Sequence, residues 1–170
     1  MNALSVTDED RHREPAATLI RHVFSLVCRV EVNIRASAPA IWHILTDAEG
    51  YPRWNSTITR IDGEIREGKR LRLHVPGTER TFTPRVSGVT PNQRMTWTGG
   101  FASIFKGVRT FVLRPRSDGS TDFVMDERFA GAMLPLIARV LPDFRSVFST
   151  FASDLKWEAE RPSSRATVGR

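Results

Sequence analysis

The chain has a single cysteine, Cys28, in 170 residues. That excludes an internal disulfide and any metal site built from several thiolates. Cys28 alternates with Val30 and Val32, which makes it a small buried hydrophobe rather than a reactive thiol. Its four histidines, His12, His22, His43 and His74, have no metal-ligand spacing, and no serine nucleophile elbow is present. The one tyrosine, Tyr51, falls in a segment that reads as a loop, so phenolic donors are scarce. No apolar run reaches the roughly 18–20 residues of a membrane span. Ala16–Cys28 is mildly apolar, but Arg21 and His22 interrupt it and it lacks a signal-peptide core. A reducing cytoplasm is the expected location. Gly63–Arg70 looks like a phosphate-binding loop and fails the test. Arg70 stands where serine or threonine would hold magnesium, the loop carries Glu64 and Glu67, and a strand pattern follows instead of a helix. No metal and no cofactor are expected.

The formal charge is +6. The arginines are scattered, with Arg66, Lys69, Arg70 and Arg72 the densest group. They read as the solvated outer face of a sheet, so no nucleic-acid partner is expected. The length fits one domain. Residues 1–27 read as a tail or extension, 28–160 as the domain and 161–170 as a second polar tail. Monomer and homodimer both stay open.

The largest apolar feature is a predicted long helix over Leu134–Ala159. Ile137, Val140, Leu141, Phe144, Val147, Phe148, Phe151 and Leu155 form one stripe at helical spacing. Pro135 and Pro142 mark its first turn and a kink or restart. Upstream, Ala16–Val27 is either a short helix or an extension of the first strand. Cys28–Ile34 alternates as a half-buried strand. Ser37 caps a short helix with Pro39 in its first turn, ended by Gly50 and Pro52. Five further strand patterns precede the last: Ile58–Ile65, which carries an irregularity; Leu71–Val75; Thr81–Val89, with Phe82 and Val86 on one side and an edge or bulge at Pro84; a strand holding Met95, Trp97 and Gly99; and Gly107–Arg114. Thr121–Phe129 is the last strand, after a tight turn at Ser117-Asp118-Gly119. Short turns between consecutive strands imply an antiparallel sheet. The expected class is α+β, with a curved sheet of about seven strands around the C-terminal helix and a cavity between them.

This order, with Ala38-Pro39-Ala40-Ile41-Trp42 opening the short helix and Tyr51-Pro52-Arg53-Trp54-Asn55 closing it, resembles the START-like or helix-grip (SRPBCC) superfamily. More narrowly it resembles the polyketide cyclase/dehydrase and lipid-transport family. Glu67-Gly68, Arg114-Pro115, Asp118-Gly119-Ser120-Thr121 and Glu127 ahead of Gly131 match its turns. The resemblance covers about Val30 to Ala159. It implies a deep apolar cavity under the helix and roles in binding lipids, sterols or polyketides, with cyclisation or dehydration in some members. It carries over no catalytic residue, because the family shares none.

Counting outward from Asp118 sets Leu113 against Phe123, Phe111 against Met125 and Arg109 against Glu127. Arg109 and Glu127 then share the inward parity of the apolar residues. Opposite charges on paired strands reach each other, and inside a cavity each needs the other. The pair either orients a polar ligand group, supplies an acid or base through Glu127, or is a structural ion pair at the cavity mouth. Trp54, Trp97, Phe82, Phe101, Phe105, Phe111, Met125, Phe129, Met133, Phe144 and Phe148 are the candidate apolar lining, and core packing is the alternative for each. Gly99–Gly107, flanked by Phe101 and Phe105, reads as an entrance loop. Asn55-Ser56-Thr57 matches a glycosylation acceptor, which matters only in a secreted protein.

Three functions follow. The first is a carrier or sensor of an apolar, lipid-like or polycyclic small molecule. The second is a cyclase or dehydratase of polyketide-like substrates using the same cavity. The third is a protein-interaction module, whose interior would be filled and whose surface would carry an apolar patch.

Overall fold

The structure, a computed structural model, describes residues 14–22, 25–77, 79, 81–101, 105–132 and 144–162. The element order is β1 (Thr18–His22), β2 (Ser25–Ile34), α1 (Ala38–Thr46), α2 (Tyr51–Trp54), β3 (Arg60–Asp62), β4 (Arg72–His74), β5 (Thr81–Phe82), β6 (Arg85–Thr90), β7 (Arg94–Phe101), β8 (Phe105–Pro115), β9 (Thr121–Ala130) and α3 (Phe144–Glu160). Six strands form one antiparallel sheet in the order β1-β2-β9-β8-β7-β6, and β3-β4-β5 form a small second sheet. The nine strands among the described residues exceed the seven expected. The architecture, a curved antiparallel sheet holding a C-terminal helix, is the helix-grip fold.

Alternation builds β2. Leu26, Cys28, Val30, Val32 and Ile34 are buried, and the residues between them are half-buried or exposed. Of the expected segment Ala16–Val27, residues 25–27 do extend the first strand, and the stretch 18–22 takes a form not expected. It is a separate strand, β1, folded back on β2 with Thr18 opposite Arg29 and His22 opposite Ser25. It lies at the sheet edge and is mostly exposed, which explains why it has no hydrophobic period to read.

In α1, Ser37 Oγ accepts from Ala40 N at 3.4 Å, and Ala38, Ile41 and Leu45 turn inward. Gly50 lets the chain bend into α2 beside Asp47, whose carboxylate would have to swing aside for an added Cβ. The Asp47 carboxylate instead accepts from Gly50 N at 3.1 Å.

Two expected strands are corrected. Ile58–Ile65 shrinks to β3. Ile58 and Ile61 are both buried because Ile58 precedes the strand and is free of its alternation. Thr81–Val89 breaks at Thr83-Pro84 into β5 and β6, which belong to different sheets. Proline lacks the N–H a continuous ladder needs. Its carbonyl accepts from Leu71 N at 2.9 Å, while Val86 N donates to Lys69 O at 2.8 Å, so the small sheet is sewn to the large one here. As a result Phe82 and Val86 do not share an environment: Val86 is buried and Phe82 is 55% exposed.

The β8–β9 hairpin pairs as many residues as β2 with β9. Its turn is held by Asp118 Oδ1, which accepts from Ser120 N at 3.0 Å and Ser120 Oγ at 2.6 Å, with Gly119 at φ 82°. The helix is described from Phe144. Ile137, Val140, Leu141, Pro135 and Pro142 lie outside the described residues. Phe148, Phe151, Ala152 and Leu155 are buried against the sheet. Val147 is 37% exposed, against expectation. It sits about 100° around the axis from Phe148, at the margin of the stripe. The far end of α3 is tied down: Lys156 Nζ donates to Asn33 O at 2.7 Å, Arg35 N to Glu160 Oε1 at 2.8 Å, and Ser56 N and Oγ to Asp154 Oδ2 at 2.8 and 2.7 Å. No helix among the described residues is long and apolar enough to cross a membrane.

Candidate functional site

The β8–β9 register is the one counted from Asp118: Leu113 opposes Phe123, Phe111 opposes Met125 and Arg109 opposes Glu127. Phe111, Phe123 and Met125 are fully buried, so their parity faces the helix. The same parity carries Arg109 and Glu127, and the two form an ion pair. Arg109 Nη2 donates to Glu127 Oε2 at 2.6 Å and Nε donates to the same oxygen at 3.0 Å. The side chains are only 17% and 13% exposed. Glu127 Oε1 takes no part in either bond. It faces Gly107, where an added Cβ would lie 3.6 Å from it and 3.3 Å from the Phe129 ring.

Aromatic rings surround the pair. The Phe148 ring of α3 lies beneath the guanidinium, 5.1 Å from Arg109 Cζ to the ring centroid, a cation–π contact. Trp97 on β7 stands opposite Arg109 in register and packs on Phe111 at 4.9 Å between centroids. Phe129 stacks on Phe144 at 4.8 Å, near the start of α3. Farther along the helix, Phe151 meets Trp54 at 5.5 Å and Phe111 at 6.0 Å.

Tyr51 is the residue the sequence reading missed. It is fully buried on α2, with its ring 4.7 Å from Trp54 and 6.5 Å from Trp97. Its hydroxyl donates to Leu45 O at 3.1 Å. Burial pushes the phenol far above its ordinary value, outweighing the nearby Arg109 charge, so the group stays neutral. The turn residues Gly50 and Pro52 disguise it as a loop residue. The available signal was the three-residue spacing of Tyr51 and Trp54, which sets both on one side of a helical turn.

Two polar features stand out in this interior. Asn55 Oδ1 accepts from Thr57 N, Thr57 Oγ1 and Ile58 N at 2.9, 2.9 and 2.7 Å, fixing the loop after α2. Its Nδ2, together with Trp54 Nε1 and Trp97 Nε1, is buried and has no hydrogen-bond acceptor among the described residues.

Of the expected lining residues, Trp54, Trp97, Phe111, Met125, Phe129 and Phe148 are buried, and Phe144 is half-buried beside them. Phe82 is corrected: β5 is a two-residue edge strand, and its ring stands largely in solvent. Phe101 and Phe105 face each other as the end residues of β7 and β8, and their side chains lie outside the described set, as does Met133. His74 Nε2 meets Asp62 Oδ2 at 2.9 Å across the small sheet. An open cleft of about 460 Å³ lies elsewhere, lined by Ala48, Glu49, Pro52, Arg60, Ile61, Asp62 and Gly63, and contains none of the expected site residues.

Comparison with known proteins places this geometry. Among solved structures, the chain is similar to a START superfamily protein from Mycobacterium smegmatis, at 23% identity over 79% of this chain and 97% of that one, with a TM-score of 0.58. It is similar to a protein from Mesorhizobium loti, at 21% identity over 77% and 94%, TM-score 0.63. It is also similar to norcoclaurine synthase from Thalictrum flavum, at 11% identity over 84% and 96%, TM-score 0.63, a structure in complex with a transition-state analogue. At these identities the likeness is one of fold. No curated protein matches the sequence significantly. The family profile described as polyketide cyclase / dehydrase and lipid transport matches residues 26–160, and the chain belongs to that family.

Proposed function

We propose that the protein binds an apolar small molecule, lipid-like or polycyclic, in a cavity between the six-stranded sheet and the C-terminal helix, and acts as its carrier or sensor. The observation that carries this reading is the Arg109–Glu127 pair on the helix-facing side of the sheet, among Trp97, Phe111 and Phe148. A well-packed apolar core gains little from such a pair, because desolvating two charges offsets most of their attraction. A few convergent polar groups within apolar walls are instead the usual composition of a small-molecule site. The lone buried Cys28 agrees with a reducing cytoplasm.

A second reading has its own support. Glu127 gives only one oxygen to Arg109, which leaves Oε1 as a candidate base beside a guanidinium that would stabilise an enolate. That is the arrangement a cyclase or dehydratase of carbonyl substrates needs. Tyr51 is no base in either reading, since its phenol is neutral and bonded to Leu45 O.

Native mass spectrometry on protein purified from its own host tests the proposal. A retained apolar guest, lost on exchange into organic solvent, is the expected result, and a mass equal to the bare chain in every preparation would count against it. With the guest identified, Glu127→Gln separates the readings. Loss of turnover with binding intact marks an enzyme, and unchanged binding with no turnover in either form marks a carrier.

A further inference from the structure

We propose that the interior fastens its guest through the indole N–H groups of Trp54 and Trp97, so that the guest presents acceptor oxygens, as a ketone or carboxylate does. This rests on the reading that an apolar molecule binds between sheet and helix. Trp54 and Trp97 are 5% and 2% exposed, and their Nε1 atoms meet no acceptor among the described residues. A buried donor without an acceptor carries its full desolvation penalty, and native interiors leave few such groups. Here two of them pack on one ring, Tyr51, at 4.7 and 6.5 Å between centroids.

The neighbouring polar groups repeat the bias. Tyr51 donates its hydroxyl proton to Leu45 O. Arg109, opposite Trp97 in register, is another donor, and the Glu127 carboxylate already receives two of its N–H groups. Asn55 Oδ1 is occupied by Thr57 and Ile58, while its Nδ2 is a third unpartnered donor. A hydrocarbon guest leaves the indoles unpaired. An ammonium guest meets the Arg109 cation, and the Glu127 oxygen open to it, Oε1, belongs to a carboxylate already paired with that cation. An acceptor oxygen satisfies the indoles and lies beside a cation, in surroundings of low polarity where each bond is stronger.

Matched probes test this. The pairs are fluorene with 9-fluorenone and undecane with 2-undecanone, and 9-aminofluorene supplies the cation. Indole proton resonances of the intact wild-type protein are the readout, with Trp42→Phe and Trp157→Phe identifying the half-buried and the exposed signal and so the interior pair. The ketones are expected to bind about tenfold more tightly than their hydrocarbons. They should also move the Trp54 and Trp97 indole protons downfield while Trp42 and Trp157 stay in place. Trp97→Phe should reduce the ketone preference to about twofold without weakening fluorene. Hydrocarbons binding as tightly as ketones, with unmoved indole protons, would overturn the acceptor proposal and leave apolar binding standing. Persistent water contacts at both indoles that survive ketone binding would overturn it too. Failure of all five probes to bind would overturn the underlying reading of an apolar site.

Discussion

The two ends of the interface between α3 and the sheet are built from the same helix and the same hairpin, yet they differ in chemistry. Toward the hairpin turn, Phe123, Phe151 and Leu155 are buried together, with Phe123 and Phe151 stacked at 6.4 Å. Toward the start of α3, the sheet presents Arg109, Glu127 and Gly107, and the helix covers them with Phe148 and Phe144. One end is a core optimised for density. The other accepts the desolvation of two charges and a residue with no side chain. Substitutions at the two ends should therefore fail in different ways: by loss of stability at the first and, on the proposed function, by loss of ligand selectivity at the second.

The largest effect is expected at the dense end. Phe151→Ala removes a ring that contacts Trp54, Phe111 and Phe123. It should cost about 3–5 kcal/mol, read by denaturant unfolding. A loss below about 1 kcal/mol would mean that this end is not packed as described. Next comes the polar end. Glu127→Ala leaves Arg109 inward without its partner and should cost about 1–3 kcal/mol, less than a fully buried pair because some solvent reaches both groups. Arg109→Met combined with Glu127→Leu should recover most of that loss, while ligand affinity does not recover. A double variant as unstable as the single one would place the pair among the structural supports.

Part of this contrast was legible beforehand. Asp118-Gly119 centres the hairpin, and a period of two then fixes every facing pair out to Arg109 and Glu127. The separation of the small sheet was not legible, because its strands of two or three residues lie inside the longer expected runs Ile58–Ile65, Leu71–Val75 and Thr81–Val89, and Pro84 hides a change of sheet within the last. Tyr51 was hidden by its turn-forming neighbours, and the unpartnered indoles could not be foreseen, since a sequence lists donors without their partners.

Two smaller effects sharpen the comparison at the tied end of the helix. Asp154→Asn weakens the two hydrogen bonds that Ser56 N and Oγ donate to Asp154 Oδ2 and should cost about 1 kcal/mol, with faster amide exchange at Ser56. Glu160 should show a mild acid dependence. Burial alone raises its carboxyl, but the Arg35 backbone N–H, the Lys156 ammonium and the Arg35 guanidinium outweigh that and hold it below the ordinary range. A depressed carboxylate contributes stability that is complete above its unfolded value and lost as pH falls through the folded one. Glu160→Gln should therefore destabilise at neutral pH and flatten the acid limb of the unfolding curve. Parallel limbs for the two proteins would remove Glu160 from the acid response.

The tie at the tail of α3 also has a mechanical meaning. With Lys156 on Asn33 O and Glu160 on Arg35 N near its last turns, and Ser149 Oγ accepting from Ala17 N at 3.0 Å beside Phe148, the helix is held at two places along its described length. Phe148 lies about 12 Å along the axis from Lys156, while Leu155 is about 1.5 Å away. A pivot of about 5° at the anchor would sweep the backbone of Phe148 sideways by about 1 Å and that of Leu155 by about 0.1 Å. Any shift of Phe148 over Arg109 is thus coupled through Ser149 to Ala17, just ahead of the edge strand, while the contacts around Leu155 stay nearly fixed.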